Sequence, residues 1–517
     1  MLTSLVLLAL GILRSAAQHP YHANSLFSTP SSSMRPWLNL NHPEQQYYYN
    51  TAVTDSPRGP LSSLSLSSVD ENEYTVLSDH PLYPDYNVRI KKSRFCDETV
   101  NGFTGYIDIE ARHLFFYFFE SRNDPDKDEV IFWTNGGPGC SSSLGLFFEL
   151  GPCRIPDETG PKFHPESWNS NANIFFIDQP VGVGFSYAEF GETVSTSEEA
   201  AVDIAAFVSI FFDHFSQFEG RGFHMAGESY GGRYIPLFAS AVYDNNARRV
   251  DAGLSPINLK SAIIGNGMTD SFKMIPSYYD MACTPASIKP FVDISSCVQM
   301  KQIADRCDKW MKKACVDHFD HIDCAAAYNF CQLSYAGPFY ATGKNPYDVS
   351  KPCEGGLSSS LCYPETSHVL NYLNNATNRQ MMGVDSTPAI PKNMTSCTPF
   401  VSTDFALTGD ILHPTTHYVS ALLDRGIRVL IYVGAYDWIC NHVGNERWVL
   451  GMEWSGKEEF GSVEKREWVF DGERAGVTRS AKGLTFATID GAGHMVPHDK
   501  PKQALAMVQR WLANEDL

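Results

Sequence analysis

From about residue 94 onward, short apolar runs recur along the chain: Gly105–Ile109, Leu114–Phe119, Val130–Trp133, Ile174–Ile177, Phe223–Ala226, Ser261–Ile264, Arg428–Val433 and Leu484–Ile489. Runs of this length, rich in β-branched and aromatic residues, predict buried strands. Between several of them the apolar positions repeat at helical spacing, as in Glu198 to Phe215 and Pro501 to Leu512. The first two runs predict an antiparallel lead-in. The later alternation of strand and helix predicts an α/β fold with a mostly parallel central sheet. The rhythm breaks between about 280 and 400, a stretch read as an insertion over one end of the sheet. Residues 18 to about 90 are rich in Pro, Ser, Asn and Tyr and show no strong periodicity, so they read as a propeptide or flexible segment. The expected organisation is therefore 18–90 flexible, 91–280 the first part of the core, 281–400 the insertion and 401–517 the second part.

Composition narrows the class. With 43% hydrophobic and 19% charged residues, the 517-residue chain can bury a large core, which excludes wholesale disorder. Lys+Arg 40 against Asp+Glu 59 gives a net charge of −19, and no basic run interrupts it, so no nucleic-acid partner is expected. Nine of the 13 cysteines fall between Cys283 and Cys397 at uneven spacings. Zinc sites would show paired C-x2-C units and none is present, so no metal is expected. Clustered, irregular cysteines point to disulfides and an oxidising compartment, and the odd total leaves at least one thiol unpaired or paired with another chain. Leu5–Leu13, Arg14 and then Ser15-Ala16-Ala17 fit a signal peptide over 1–17. That run is shorter than the ~20 apolar residues a span needs, and no other run qualifies, so no membrane span is expected. Asn375-Ala-Thr and Asn393-Met-Thr are glycosylation sequons inside the insertion.

The chemistry lies at strand ends. Gly227-Glu228-Ser229-Tyr230-Gly231 matches G-x-S-x-G, a sharp strand-to-helix turn that thrusts a serine hydroxyl out of the sheet. Phe223–Ala226 before it is strand-like, and Tyr234 to Tyr243 fits a helix. A serine nucleophile needs a base and an acid to orient that base, in chain order Ser, Asp or Glu, His on such a sheet. The apolar run from Val429 ends at Asp437, and the run from Leu484 ends in Gly491-Ala-Gly-His494. Both follow a strand's carboxyl end, where sheet enzymes place catalytic groups. Asp490, His498 and Asp499 compete by proximity, but His498 follows Pro497 in a polar stretch that reads as loop surface. Asn135-Gly136-Gly137-Pro138-Gly139-Cys140, after the strand ending at Trp133, can bring a backbone N–H against an oxyanion. It has no Gly-Lys-Ser/Thr and is not a phosphate loop.

Several long motifs in one order carry a resemblance. Asn135-Gly-Gly-Pro-Gly-Cys-Ser-Ser, Gly227-Glu-Ser-Tyr-Gly-Gly-Arg-Tyr-Ile-Pro, Ile263-Ile-Gly-Asn-Gly and Gly493-His-Met-Val-Pro resemble the serine carboxypeptidase family. Phe118-Phe-Glu-Ser-Arg-Asn-Asp-Pro, Phe147-Phe-Glu-Leu-Gly-Pro and Ser167-Trp-Asn-Ser-Asn-Ala-Asn extend the likeness from about Gly105 to Trp511. It implies an α/β-hydrolase fold and an enzyme that removes single amino acids from peptide C-termini through an acyl-enzyme, with no cofactor. It implies Ser229, Asp437 and His494 as the triad, and the N–H groups of Gly137 and Tyr230 as the oxyanion hole. Asn135, Gly136, Glu149 and Glu228 would read the substrate carboxylate, supported by Trp133. Two carboxyls held together share a proton, and a neutral glutamate can donate to the substrate carboxylate, which predicts an acidic optimum. Met495 would line the leaving-group pocket and Tyr230 would edge the next one, predicting a preference for apolar ends. The resemblance implies disulfides Cys140–Cys397, Cys283–Cys297, Cys307–Cys331, Cys315–Cys324 and Cys353–Cys362, with Cys440 a free thiol near the site; Cys96 and Cys153 would remain as a sixth pair. The implied setting is the secretory pathway, with a vacuole or lysosome-like compartment or secretion as the destination. An acyltransferase with the same triad and a catalytically dead binding protein are the competing readings, and a lipase or esterase is a weaker one.

Overall fold

In the computed structural model, residues 64–189 and 191–517 are described. Their main strands are β1 (Thr75–Leu77), β2 (Tyr86–Lys92), β3 (Gly102–Ile109), β4 (Arg112–Phe119), β5 (Val130–Thr134) and β6 (Asn173–Ile177). After them come β7 (Gly222–Glu228), β8 (Asn258–Gly265), β9 (Arg428–Gly434), β10 (Arg466–Phe470), β11 (Glu473–Ala481) and β12 (Leu484–Ile489). They form one sheet in the order β1-β2-β3-β4-β6-β5-β7-β8-β9-β12-β11-β10, with Tyr187–Ala188 pairing on β4. From β6 through β5, β7, β8 and β9 to β12 every pairing is parallel, while the flanks are antiparallel. All eight apolar runs lie in strands, and the sheet is mostly parallel at its centre.

Each central strand is buried on both sides, and its residues divide between two cores with the period of two that a pleated strand imposes. In β9, Val429, Ile431 and Val433 join one core while Leu430 and Tyr432 join the other. The first core is filled by helices α1 (Ser197–His214) and α2 (Gly231–Asp251). α1 starts where the Thr196 hydroxyl accepts the Glu199 N–H at 3.2 Å, with Glu198 and Glu199 favourably placed at the positive end. The second core is closed by a C-terminal helix (Pro501–Leu512), whose Ala504, Met507, Val508 and Trp511 form its buried stripe.

Two features differ from the sequence reading. The segment expected to be flexible up to about residue 90 contributes β1 and β2, and its Leu66, Leu77 and Val88 are buried. Pairing to β3 satisfies backbone groups that its polar composition conceals. Residues 1–63, with the expected signal peptide, lie outside the described residues. The insertion also does more than cover one end of the sheet. Its helices over Ile294–Met311 and His321–Tyr340, with the helix Ser271–Cys283 that leads into it, build a separate small core stapled by Cys283–Cys297, Cys307–Cys331 and Cys315–Cys324. Its later part instead straps the antiparallel flank. There Thr104 Oγ1 donates to Met382 O at 2.7 Å, Tyr372 Oη to Phe95 O at 3.0 Å, and Arg89 pairs with Asp385 at 2.9 Å.

Candidate active site

The carboxyl ends of β5, β7, β9 and β12 converge on one place. β7 is wholly buried through Glu228, and Ser229 then turns with φ +64°, a conformation rarely adopted by a residue with a side chain. Gly232 N and Met268 N donate to the Ser229 carbonyl at 2.9 and 2.8 Å, which fixes the turn. Ser229 is partly exposed where its neighbours are not. The next residue, Tyr230, caps the N-terminus of α2, the positive end of a 21-residue helix.

Asp437 and His494 follow the carboxyl ends of β9 and β12. His494 Nδ1 meets Asp437 Oδ2 at 2.8 Å, and both side chains are buried. Asn266 Nδ2 donates to the same Asp437 oxygen at 2.8 Å. The Ile439 and Cys440 N–H groups donate to the other, at 3.1 and 3.3 Å. With both oxygens engaged in this way, Asp437 fixes the orientation of the ring, and Nε2 is left for a hydroxyl. The insertion holds the His494 loop from above, Tyr347 O accepting the His494 N–H at 2.7 Å. Cys440 is the free thiol; it is buried in hydrogen-bonding contact with Ser229, and burial pushes it well above the ordinary thiol value. Among the described residues Asp437, Cys440 and His494 are also the one set with metal-ligand spacing, and two of its three atoms bond each other.

The glycine loop closes against the Ser229 turn. A Cβ on Gly136 would lie 2.2 Å from Tyr230 N, so only glycine allows this approach, and Gly137 has φ +110°. Among the described residues neither the Gly137 nor the Tyr230 backbone N–H meets an acceptor. Two unspent donors beside a serine are the arrangement that binds a developing oxyanion. The loop is anchored by Cys140–Cys397 and by Asp178, which accepts Ser141 Oγ at 2.6 Å and Ser142 N at 3.0 Å. Burial raises the Asp178 carboxyl to about 6.

Glu149 and Glu228 are buried side by side. Trp133 Nε1 and Gly145 N donate to Asn135 Oδ1, both at 2.9 Å, and Asn135 Nδ2 donates to Glu149 Oε1 at 3.0 Å. That chain fixes which way the Asn135 amide points. Counted as two ionised acids, Glu149 Oε2 and Glu228 Oε2 would each lack a partner. A proton on Glu228 removes the conflict by linking the two carboxyls. Burial, then the Glu149 charge, raises Glu228 well above the ordinary value; burial also raises Glu149. Glu149 is thus no surface charge.

Met495 packs with Phe148 and Tyr363 in a small apolar cluster edged by Tyr347 and Leu361. Met495 had a sequence signal beside His494; the aromatic residues had none, being scattered over more than 200 positions. His498 is not loop surface: it stacks on Phe148 with centroids 4.0 Å apart, and burial lowers it to about 4. Asp499 accepts the Gly493 N–H at 2.7 Å, and Asp490 pairs with Arg474 at 2.9 Å, so neither competes with Asp437. Cys96–Cys153 and Cys353–Cys362 complete the disulfides. Asn375 and Asn393 are exposed.

A parallel-centred sheet with these groups at its strand ends is a hydrolase of the α/β-hydrolase type. The chain belongs to the serine carboxypeptidase family, which it matches over residues 95–514, and it is a serine carboxypeptidase. It is 41% identical over 441 residues to carboxypeptidase Y homolog A of Talaromyces marneffei, covering 83% of this chain and 76% of that protein. It is 39% identical to carboxypeptidase Y of Komagataella phaffii, covering 84% and 80%. Among solved structures it resembles a prohormone-processing carboxypeptidase from Saccharomyces cerevisiae, with a TM-score of 0.68 and 25% identity over 83% of this chain and 91% of that one.

Proposed function

We propose that Ser229, His494 and Asp437 carry the peptidase reaction, and that the Glu149–Glu228 pair makes it an exopeptidase with an acidic optimum. The observation that carries the reading is the pair of buried glutamates beside the Ser229 turn, whose Oε2 atoms have no other hydrogen-bond partner and whose carboxyls burial raises. A substrate carboxylate would be repelled by two ionised glutamates. It is bound by a protonated Glu228 with Asn135 and the Gly136 backbone, which places the last peptide bond over Ser229. Ser229 Oγ then attacks the scissile carbonyl while His494 takes its proton. The Gly137 and Tyr230 N–H groups hold the oxyanion, and His494 returns the proton to the leaving amine. The C–N bond breaks, the free amino acid departs, and water hydrolyses the acyl-enzyme with the same groups in reverse. The buried apolar cluster of Phe148, Tyr363 and Met495, which begins at the residue after His494, supports a preference for hydrophobic ends. The cysteine pairing and exposed sequons support a secretory-pathway protein, vacuolar or secreted.

The test is a peptide ladder followed by mass spectrometry. Single residues should disappear one at a time from the C-terminus, fastest at Leu, Phe or Met, and not at all with Ser229→Ala. Transfer of an acyl group from a sugar ester without any ladder would replace this reading with acyl transfer.

A further inference from the structure

We propose that Asp410 is a positioning residue for the reaction: it holds the Tyr230 side chain, and through it the backbone N–H that faces the oxyanion. The inference rests on the reading of Ser229 and Tyr230 given above. Asp410 lies far along the chain from the nucleophile turn, in a short turn (Asp410–Leu412) that precedes the helix Thr416–Asp424. Its Oδ2 accepts Tyr230 Oη at 2.6 Å, Arg233 Nε at 2.8 Å and Ser197 Oγ at 2.8 Å, while Oδ1 accepts Ser197 N at 2.8 Å. The Arg233 and Asp410 side chains are only 2% and 1% exposed. Arg233 also donates to the His413 carbonyl. Burial alone would raise Asp410, but the Arg233 charge together with the hydrogen bonds from Arg233, Ser197 and Tyr230 keeps the carboxyl below its ordinary value.

Four donors therefore converge on one ionised carboxylate behind the active site, and two of them come from the first turn of α2. Stability does not require such a pair, because apolar replacements of buried ion pairs are often neutral or better. What the pair supplies is a fixed place for Tyr230. Its ring is wedged edge-on against Tyr234 and Phe405, with centroids at 5.3 and 6.1 Å, and could slide along those faces without the hydroxyl anchor. On the opposite side Gly136 packs so closely on Tyr230 N that a small shift of Tyr230 would change the spacing of the two oxyanion donors.

The test uses the full-length enzyme with a blocked dipeptide and the matching ester. Tyr230→Phe keeps the ring and deletes only the bond to Asp410. It should lower kcat about tenfold on both substrates with KM within about twofold, a fraction of the ~10²–10³ lost when an oxyanion donor is removed outright. Asp410→Asn should lose more and risks misfolding, since it leaves Arg233 buried and uncompensated. The double variant Asp410→Asn/Arg233→Met removes both charges and should fold with the same low kcat. An unchanged kcat for folded Tyr230→Phe, or a loss confined to KM, overturns the proposal. Ser229→Ala is run alongside; activity surviving there would instead overturn the reading of the site itself.

Discussion

Replacing Glu228 by Gln tests the carboxylate reading at the level of a single proton. In the structure Glu228 and Glu149 are buried with their Oε2 atoms otherwise unpartnered, and burial with the Glu149 charge raises Glu228 well above the ordinary carboxyl range. Two unit charges about 4 Å apart repel by about 4 kcal/mol at an effective dielectric of 20, so the pair keeps one proton until the solution is far above pH 4.5. The sign follows: a raised acid is neutral below its shifted value and ionises as pH climbs through it. Ionisation converts a donor to the substrate carboxylate into a repelling charge. A hydrogen bond to a charged group contributes about 1.5–3 kcal/mol, so peptide kcat/KM should fall by about ten- to a hundredfold along the alkaline limb. An ester or amide lacking the free carboxylate should lose much less. In Glu228→Gln the amide N–H cannot ionise, so the peptide limb should flatten and approach that of the ester. The assay is release of the terminal residue from an N-blocked dipeptide and its ester, from pH 4 to 8, for both proteins. A Glu228→Gln limb that coincides with the wild-type one, or an ester that falls as steeply as the peptide, refutes the reasoning.

Further outcomes follow from the same geometry. Gly136→Ala should abolish turnover in a folded protein, because the added Cβ would sit 2.2 Å from Tyr230 N; near-normal kcat would show that the loop is free to move. Converting Cys140 and Cys397 to Ala should lower stability by about 2–4 kcal/mol, read as a fall in denaturation midpoint, since the bridge closes a separation of 257 residues. Asp178, raised to about 6 by burial, favours the folded state while protonated. Its contribution is full below about pH 4 and is lost as pH rises through 6, amounting to about 3 kcal/mol. Denaturant unfolding of Asp178→Asn should therefore lose that slope between pH 4 and 6. Mercurials should inhibit by crowding Ser229 at Cys440, while Cys440→Ala should stay active and become insensitive.

The centre of this protein is legible in its sequence because parallel strands are buried on both faces and read as unbroken apolar runs. The proposed triad is legible because each member sits at the end of such a run. The outer strands are not. β10 exposes three of its five residues and carries Arg466 and Glu467, so its hydrophobic signal is nearly absent. β1 and β2 sit in a stretch whose Ser and Pro content masks short strands stabilised by pairing to β3. Functional groups that depend on tertiary contacts are hidden for a related reason. Asn266 and Asp410 are single polar residues until the fold carries them against Asp437 and Tyr230. Phe148, Tyr347 and Tyr363 look like ordinary core aromatics until they meet around Met495. His498 shows the opposite error, since a polar neighbourhood in sequence became a half-buried stack on Phe148.

The most direct test of the central claim compares an N-blocked dipeptide having a free C-terminal carboxylate with the same dipeptide as its C-terminal amide, at pH 5, using the wild type and Ser229→Ala. The account predicts rapid release of the terminal residue from the free acid, release from the amide slower by at least about tenfold, and no release from either by the variant. Equal rates for acid and amide would contradict recognition of the carboxylate by the glutamate pair, and release by Ser229→Ala would contradict the nucleophile.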